Sequence, residues 1–479
     1  LGLPVCPPTI PEVQSSILRV QNQVRKMDSN TPNSSPGSLS LDSVSEYRQS
    51  FDSDTSKRLV QNAVTQRDVN EIALSHKIVN ESPHDFSIVL DDWSVTNQAR
   101  SGRCWMFAGL NLCRVDTKDV LNVKDFEFSQ NYLMFWDKLE RVNFILEAII
   151  ETADRSTDDR TVAFLLRNPL SDGGQWDMFT ALVAKHGIVP KSAMKETESS
   201  ANSSRMNASL NYQTRQGAKQ IRDAYAEEAG LVELRRIKDS VLKVVYDMLC
   251  IHLGTPPTEV DWQWKDKDGE FTRYGKLTPL QFADNYLQTD IHDYVSLVHD
   301  PRESSPEGST FTVEYLGNVV DAPSIRYLNV DIQLMKDITL KMLQDGKPVW
   351  MGCDTGKQMH RDLGLWDADL FDYAAVYGTE FNLDKAARLE YHQTAMTHAM
   401  MFTGVDVVDG VPRRWRVENS WDDKVGNKGF FLMNDSWFAE YMFEIAVPKE
   451  YLPEELQKAL ELEPIVLPAW DPMGSLADN

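Results

Sequence analysis

The apolar spacing of this 479-residue chain changes character near residue 324, and that change limits what it can fold into. Before it, hydrophobic residues recur at helical intervals. "LVQNAVTQRDVNEIAL" has this spacing, and so does the run from Cys104 through Trp105, Phe107, Ala108, Leu110 and Leu112. "SQNYLMFWDKLERVNFILEAII" is a further helix. "LSDGGQWDMFTALVAKHGIVP" predicts a Gly173-Gly174 turn, a helix, and a stop at Gly187 before Pro190. A charged helical stretch then ends near Gly254, and "WQWKDKDGEFTRYG" predicts a hairpin turning at Asp268-Gly269. From about residue 324, strand patterns take over. "SIRYLNVDI", "KPVWMGCD", "GFFLMN" and "MFEIAVP" are strand-like, and "MMFTGVDVVDGVPRRWRVENSW" predicts a hairpin turning at Asp409-Gly410. The Pro-containing end, "EPIVLPAWDPMGSLADN", is expected to be extended.

These patterns divide the chain into parts. Residues 1–57 form a flexible Ser-rich arm, with ordered structure expected from near Lys57. Residues 58–190 form a helical lobe, 191–322 a mainly helical insertion, 323–450 a β-rich lobe, and 451–479 a C-terminal arm. The net charge of −23 argues against a general affinity for nucleic acid or anionic membrane, because phosphate binding needs clustered Lys and Arg. "RRIK" at 235–238 and "RRWR" at 413–416 are short basic runs of the kind found on solvated faces and protected edges. No apolar run is long enough for a transmembrane helix, and "LGLPVCPPTI" lacks the pattern of a signal peptide. The five cysteines (Cys6, Cys104, Cys113, Cys250 and Cys353) are odd in number, widely spaced and without a C-x-x-C. That usage fits a reducing compartment and argues against a disulfide framework or structural zinc. Cys353 with His360, or His392 with His398, matches no common zinc spacing.

The chemistry turns on "NQARSGRCWMFAGLN", residues 97–111. A cysteine opening an apolar helix is ordinarily core packing. It becomes a nucleophile when four conditions meet: a lowered thiol pKa, a histidine within reach, a group that fixes the imidazole tautomer, and donors facing an oxyanion. Cys104 opens its helix, so the helix dipole can lower its pKa. Gln98 can turn its amide toward the same point, with the Cys104 backbone N–H as second donor. Nine histidines compete as base. His398 stands at the entrance of an apolar strand, and Asn419, 21 residues on in "RVENSWDD", can orient it across a hairpin with Trp421 as a shield. Each residue alone has an ordinary structural reading; their combination in this order is more specific.

"Q-x5-C-W" followed by "H-A" and "N-S-W" resembles the papain-type cysteine peptidases. Ser101 replaces the first Cys of their local signature, and Cys104 and His398 lie 294 residues apart, about twice the usual gap. Both departures resemble the bleomycin-hydrolase branch of that family. So do "SGRCWMFAGLN", "FEFSQNYLMFWDKLE", "DGGQWDMF", "YHQTAMTHAM" and "EPIVLPAWDPMGSLA". The resemblance runs from about residue 58 to the C-terminus. It implies a two-lobed α+β fold with a helical lobe and a β-barrel-like lobe, and residues 191–320 used in assembly. Cys104 is then the nucleophile, His398 the general base and acid, Asn419 its orienting partner, and Gln98 an oxyanion donor. Gly173 and Gly174 match the backbone edge that pairs with extended substrate.

The resemblance also implies a cytoplasmic cysteine aminopeptidase, forming a homohexamer with its sites facing an inner chamber. It needs no cofactor or metal, and acts on peptides, the amide of bleomycin and homocysteine thiolactone. The C-terminal arm is expected in its own cleft, where a terminal carboxylate meets the substrate α-ammonium, and where the family trims its own end. Ala477 is the expected mature terminus, ahead of Asp478 and Asn479. Asp422 stands where papain-type chains have Gly, which predicts an altered local turn. Some members bind DNA or RNA, so a nucleic-acid-binding protein with secondary peptidase activity is the alternative, disfavoured here by the net charge.

Overall fold

The computed structural model describes residues 37–90 and 93–477. Residues 37–72 with 373–379 make one unit, and 73–372 with 380–477 make a second. In the first, helices span Leu41–Ser53 and Thr55–Val64. The Ser40 hydroxyl accepts from the Ser43 N–H, and Asp54 accepts from Ser56 and Lys57. Among the described residues regular structure therefore begins at Leu41, ahead of the onset expected near Lys57. Ser and Asp lower the hydrophobicity of a segment, but they are also the preferred N-cap residues. Neither helix buries a residue. The remainder of the expected arm, residues 1–36, lies outside the described residues, as do Asp478 and Asn479.

The second unit begins its helical half with α1 (Cys104–Val120), α2 (Gln130–Glu151) and α3 (Trp176–His186). α4 (Ser204–Ala226) and α5 (Leu231–Leu253) pack against α2. Every residue of α1 from Cys104 to Arg114 is buried, which is why its pattern is apolar all round and not a stripe. Gly109 permits a close approach, because a Cβ there would lie 2.9 Å from the Phe179 ring of α3.

The other half is one mixed sheet. Nine of its twelve strands are β1 (Tyr294–Val298), β2 (Thr310–Val313), β3 (Tyr327–Asn329), β4 (Val349–Cys353), β5 (His398–Val408), β6 (Val411–Glu418), β7 (Phe430–Asn434), β8 (Met442–Pro448) and β9 (Ile465–Leu467). Their spatial order is β9-β2-β3-β1-β8-β4-β5-β6-β7. β5 and β6 turn at Asp409 and Gly410, with φ of 52° and 82°, the backbone of the expected tight hairpin. β1 and β2 fall inside the block 191–322 expected as a mainly helical insertion, yet both pair into this sheet. Strands of five and four residues give too short a pattern to stand out beside long helices. Trp350, Trp366, Trp415 and Trp437 are fully buried on or beside the sheet.

α1 packs on β5, and a buried polar cluster ties it to β6. Glu418, the last residue of β6, accepts from the Asn111 amide at 2.9 Å and the Arg114 guanidinium at 2.7 Å, both on α1. The Trp93 indole also donates to it. All four side chains are buried. Burial lifts the Glu418 carboxyl above its ordinary range despite Arg114. Removing one member of such a pair strands the other charge. Glu418→Ala is therefore expected to cost about 3–5 kcal/mol, read as a lower urea midpoint. The double variant Arg114→Met with Glu418→Leu should recover most of that loss. A double variant no better than Glu418→Ala would show that the pair is not the source.

Candidate active site

Cys104 is the first residue of α1, and the turn before it is fixed from both sides. The Ser101 hydroxyl donates to the Gln98 carbonyl at 2.7 Å, and the Gly102 N–H donates to Asp172 at 3.2 Å. The N-cap, Arg103, makes no side-chain capping bond to α1; its guanidinium turns away to Glu196. The positive end of the α1 dipole is thus left to the thiol.

His398 opens β5 opposite Cys353 of β4, and Asn419 follows β6 directly. The ring nitrogen Nε2 of His398 lies 3.0 Å from Asn419 Oδ1. That same atom accepts the Ser420 N–H at 2.8 Å. A backbone N–H can only donate, so the Asn419 atom is the oxygen and Nε2 carries the hydrogen. Nδ1 is then the nitrogen left to take a proton. Trp421 lies against the ring, centroids 4.9 Å apart at 31°, which covers the His398–Asn419 bond. Burial pushes the imidazole down to about 4, with the Asn419 bond opposing it, so it is neutral near pH 7.

The thiol joins the two halves. Cys104 Sγ accepts from the Ala399 N–H, one residue past His398, at 3.4 Å. It also stands 3.4 Å from the carbonyl oxygen of Ala477. Gln98 is clamped beside it: its amide donates to the Ser101 carbonyl at 2.5 Å, its carbonyl accepts from the Ser420 hydroxyl at 2.6 Å, and its backbone N–H bonds Ser420. Cys104, His398, Asn419, Trp421, Gln98 and Ala477 are therefore one cluster.

The Peptidase C1-like family matches residues 38–474. Aminopeptidase C of Listeria monocytogenes is 44% identical over 80% of this chain and 86% of its own. Human bleomycin hydrolase is 40% identical over 93% of this chain and 100% of its own. The crystal structure of PepW from Lactobacillus rhamnosis HN001 superposes with a TM-score of 0.90 at 41% identity, covering 92% of this chain and 99% of that one. The chain belongs to the Peptidase C1-like family. It is a cysteine peptidase with the papain-like α+β fold that its sequence resembles.

In this C1-like peptidase the cleft is filled by the chain's own C-terminal arm. β9 pairs parallel with β2, Trp470 packs under Arg160 at 3.9 Å, and Ala477 is fully buried at the thiol. Near the Gly173-Gly174 turn, the Ser475 carbonyl accepts from the Gln175 side chain at 2.6 Å. The Gly173 carbonyl accepts from Arg141 at 2.9 Å, and a Cβ on Gly174 would lie 2.5 Å from the Trp105 ring. Gln175 was missed by sequence reasoning, because it holds the N-cap position of α3 yet caps nothing. Asp422 sits at φ 74°, in the left-handed region where a Gly would be unstrained, and the Asn97 amide holds its carboxylate at 3.0 Å.

The basic runs are occupied within the chain. Arg235 and Lys238 pair with Glu147, Arg236 with Glu233, and Arg413 with Asp406. Among the described residues no group of three His, Cys, Asp or Glu is placed to hold a metal ion, and no helix is long and apolar enough to cross a membrane.

The depressed His398 pKa makes a pH prediction. Between about 4 and 6.5 the folded ring binds fewer protons than the unfolded one. Its contribution to stability is therefore complete above pH 6.5 and is lost as pH falls toward 4, by up to about 3 kcal/mol. His398→Gln should flatten that part of the stability–pH curve. Parallel curves for the two proteins between pH 7 and 5 would exclude the ring as its origin.

Proposed function

We infer that this C1-like peptidase is a cysteine aminopeptidase whose own C-terminal arm measures off one residue at a time. The observation that carries the reading is the Ala477 carbonyl, 3.4 Å from Cys104 Sγ. The relatives named aminopeptidase C and bleomycin hydrolase support the same class.

Cys104 Sγ attacks the scissile carbonyl carbon while its proton passes to His398 Nδ1. The oxyanion that forms faces the Cys104 N–H and the second amide hydrogen of Gln98. His398 returns the proton to the leaving amine, leaving a thioester on Cys104. It then takes a proton from water, which attacks the thioester; the C–S bond breaks, the acid is freed, and the proton returns from His398 to Cys104 Sγ. Asn419 holds the ring in the tautomer that does this. No metal or organic cofactor enters.

Ala477 stands where the acyl residue of a substrate must lie, so the arm is the enzyme's own first substrate. Cleavage of the Ala477–Asp478 bond leaves a carboxylate at the thiol. Withdrawing by about one residue, roughly 3.5 Å, lets that carboxylate pair with the α-ammonium of an incoming chain. The arm then blocks anything longer on that side. Bleomycin's amide and homocysteine thiolactone fit the same gauge as small amine-bearing acyl compounds. A homohexamer in the cytoplasm completes the reading.

The decisive comparison is one aminoacyl-fluorophore against its N-acetylated twin under reducing conditions, with Cys104→Ala as control. Only the free amine should be cleaved, and the variant should lose that activity by at least about 10³-fold. Intact mass should show Asp478 and Asn479 lost from the active chain and retained in Cys104→Ala. Equal cleavage of both substrates would exclude the gauge. No cleavage of either by folded, reduced protein would exclude the peptidase mechanism.

A further inference from the structure

The arm reaches the thiol from an anchor six residues back. Asp471 is gripped by Arg302, whose Nη1 and Nη2 donate to its two carboxylate oxygens at 3.2 and 2.9 Å. The same guanidinium donates through Nε and Nη2 to Asp300, at 2.9 and 2.7 Å. The three side chains are 10%, 9% and 3% exposed, in the order Arg302, Asp471, Asp300.

Asp300 is held without help from the arm. The Ser305 hydroxyl donates to it at 2.6 Å, and Asn329 accepts its N–H at 2.8 Å while donating to its carbonyl at 2.9 Å. Arg302 is thus a socket built in advance: it keeps one carboxylate when the arm is out and gains a second when the arm is in. The bonds nearer the thiol, Gln175 to Ser475 and Ser475 to Met396, are neutral. Charge-assisted, bidentate bonds are about twice as strong as such neutral ones. Six residues span at most about 20 Å when extended, so where Asp471 is fixed decides how far Ala477 can reach.

We propose that Arg302 is the positioning residue that sets the enzyme's one-residue limit, by clamping Asp471 and so holding the end of the arm at Cys104. The proposal rests on the gauge reading above and deepens it. Without the clamp the arm leaves the cleft for part of the time, and chains with blocked or longer N-terminal sides enter.

The test uses the full chain with Asp471→Asn, Arg302→Met or Arg302→Lys, beside a chain ending at Gly474. Asp471→Asn is the cleanest change. It keeps the oxygen that accepts the Met473 N–H at 2.9 Å but turns an amide NH2 toward the guanidinium. The readout is the ratio of kcat/KM on an N-acetyl-dipeptidyl fluorophore to that on the free aminoacyl-fluorophore. Asp471→Asn and Arg302→Met should raise this ratio by about tenfold or more, toward the value of the chain ending at Gly474. Arg302→Lys, a charge without the fork, should lie between. A native ratio in Asp471→Asn, while the shortened chain gains blocked-substrate cleavage, overturns the clamp and leaves the gauge standing. A shortened chain that gains nothing overturns the gauge and the clamp together. Asp471→Asn decides the matter if Arg302→Met does not fold.

Discussion

One buried carboxylate, that of Glu418, holds the reacting groups in register. Cys104 opens α1 and Asn419 follows β6, and these two residues are 315 positions apart in the chain. Apolar packing between the two elements is non-directional, so it fixes their approach but not their rotation about one another. Glu418 supplies the missing direction. It is covalently next to Asn419 and bonded to Asn111 and Arg114, two turns or so down the helix from the thiol. A catalytic geometry tolerates errors of only about 0.5 Å, and a fork-shaped donor on a buried acceptor is among the few contacts that restrict both distance and angle. An ion pair of this kind adds little net stability over an apolar pair of the same volume. Its value here lies in orientation.

The state of His398 follows from what covers it. The ring is closed in by Trp421 and lies under a cleft that the arm occupies to Ala477. Burial disfavours the imidazolium, so the base waits in its neutral form. The Asn419 bond opposes that penalty and fixes the tautomer, which leaves Nδ1 as the nitrogen able to take a proton.

Much of this was legible in the sequence, because the informative features were local. A cysteine opening an all-apolar helix, a tight turn at Asp409-Gly410, and His398 and Asn419 at the two open ends of the hairpin it closes are each encoded within a few residues. The hairpin brings His398 and Asn419 together without any long-range information. Gln98 lies six residues before the thiol, and the fold ties its side chain to Ser420, next to Asn419. Other parts were hidden. Arg302 and Asp471 lie 169 residues apart and look like ordinary surface charges until the fold buries them. β1 and β2 are too short to outweigh the helices around them. The helix at Leu41–Ser53 lay in a composition that favours disorder, and only its capping residues, Ser40 and Asp54, spoke against that reading.

The charge of the molecule divides labour with the arm. A net charge of −23 attracts a cationic peptide N-terminus from a distance, but at physiological salt that attraction decays over about 8 Å. It can concentrate substrates near the protein without telling one position along a peptide from the next. Discrimination by a single residue, some 3.5 Å, needs a charge held in a water-poor site against a fixed frame. The arm meets that need only if its end is immobile, and the six residues after Asp471 hold themselves by one 3-10 turn, Pro472–Gly474, and by neutral hydrogen bonds at Ser475. The frame must come from the point where the arm is gripped, which returns the problem of specificity to the buried guanidinium of Arg302 and the two carboxylates it holds.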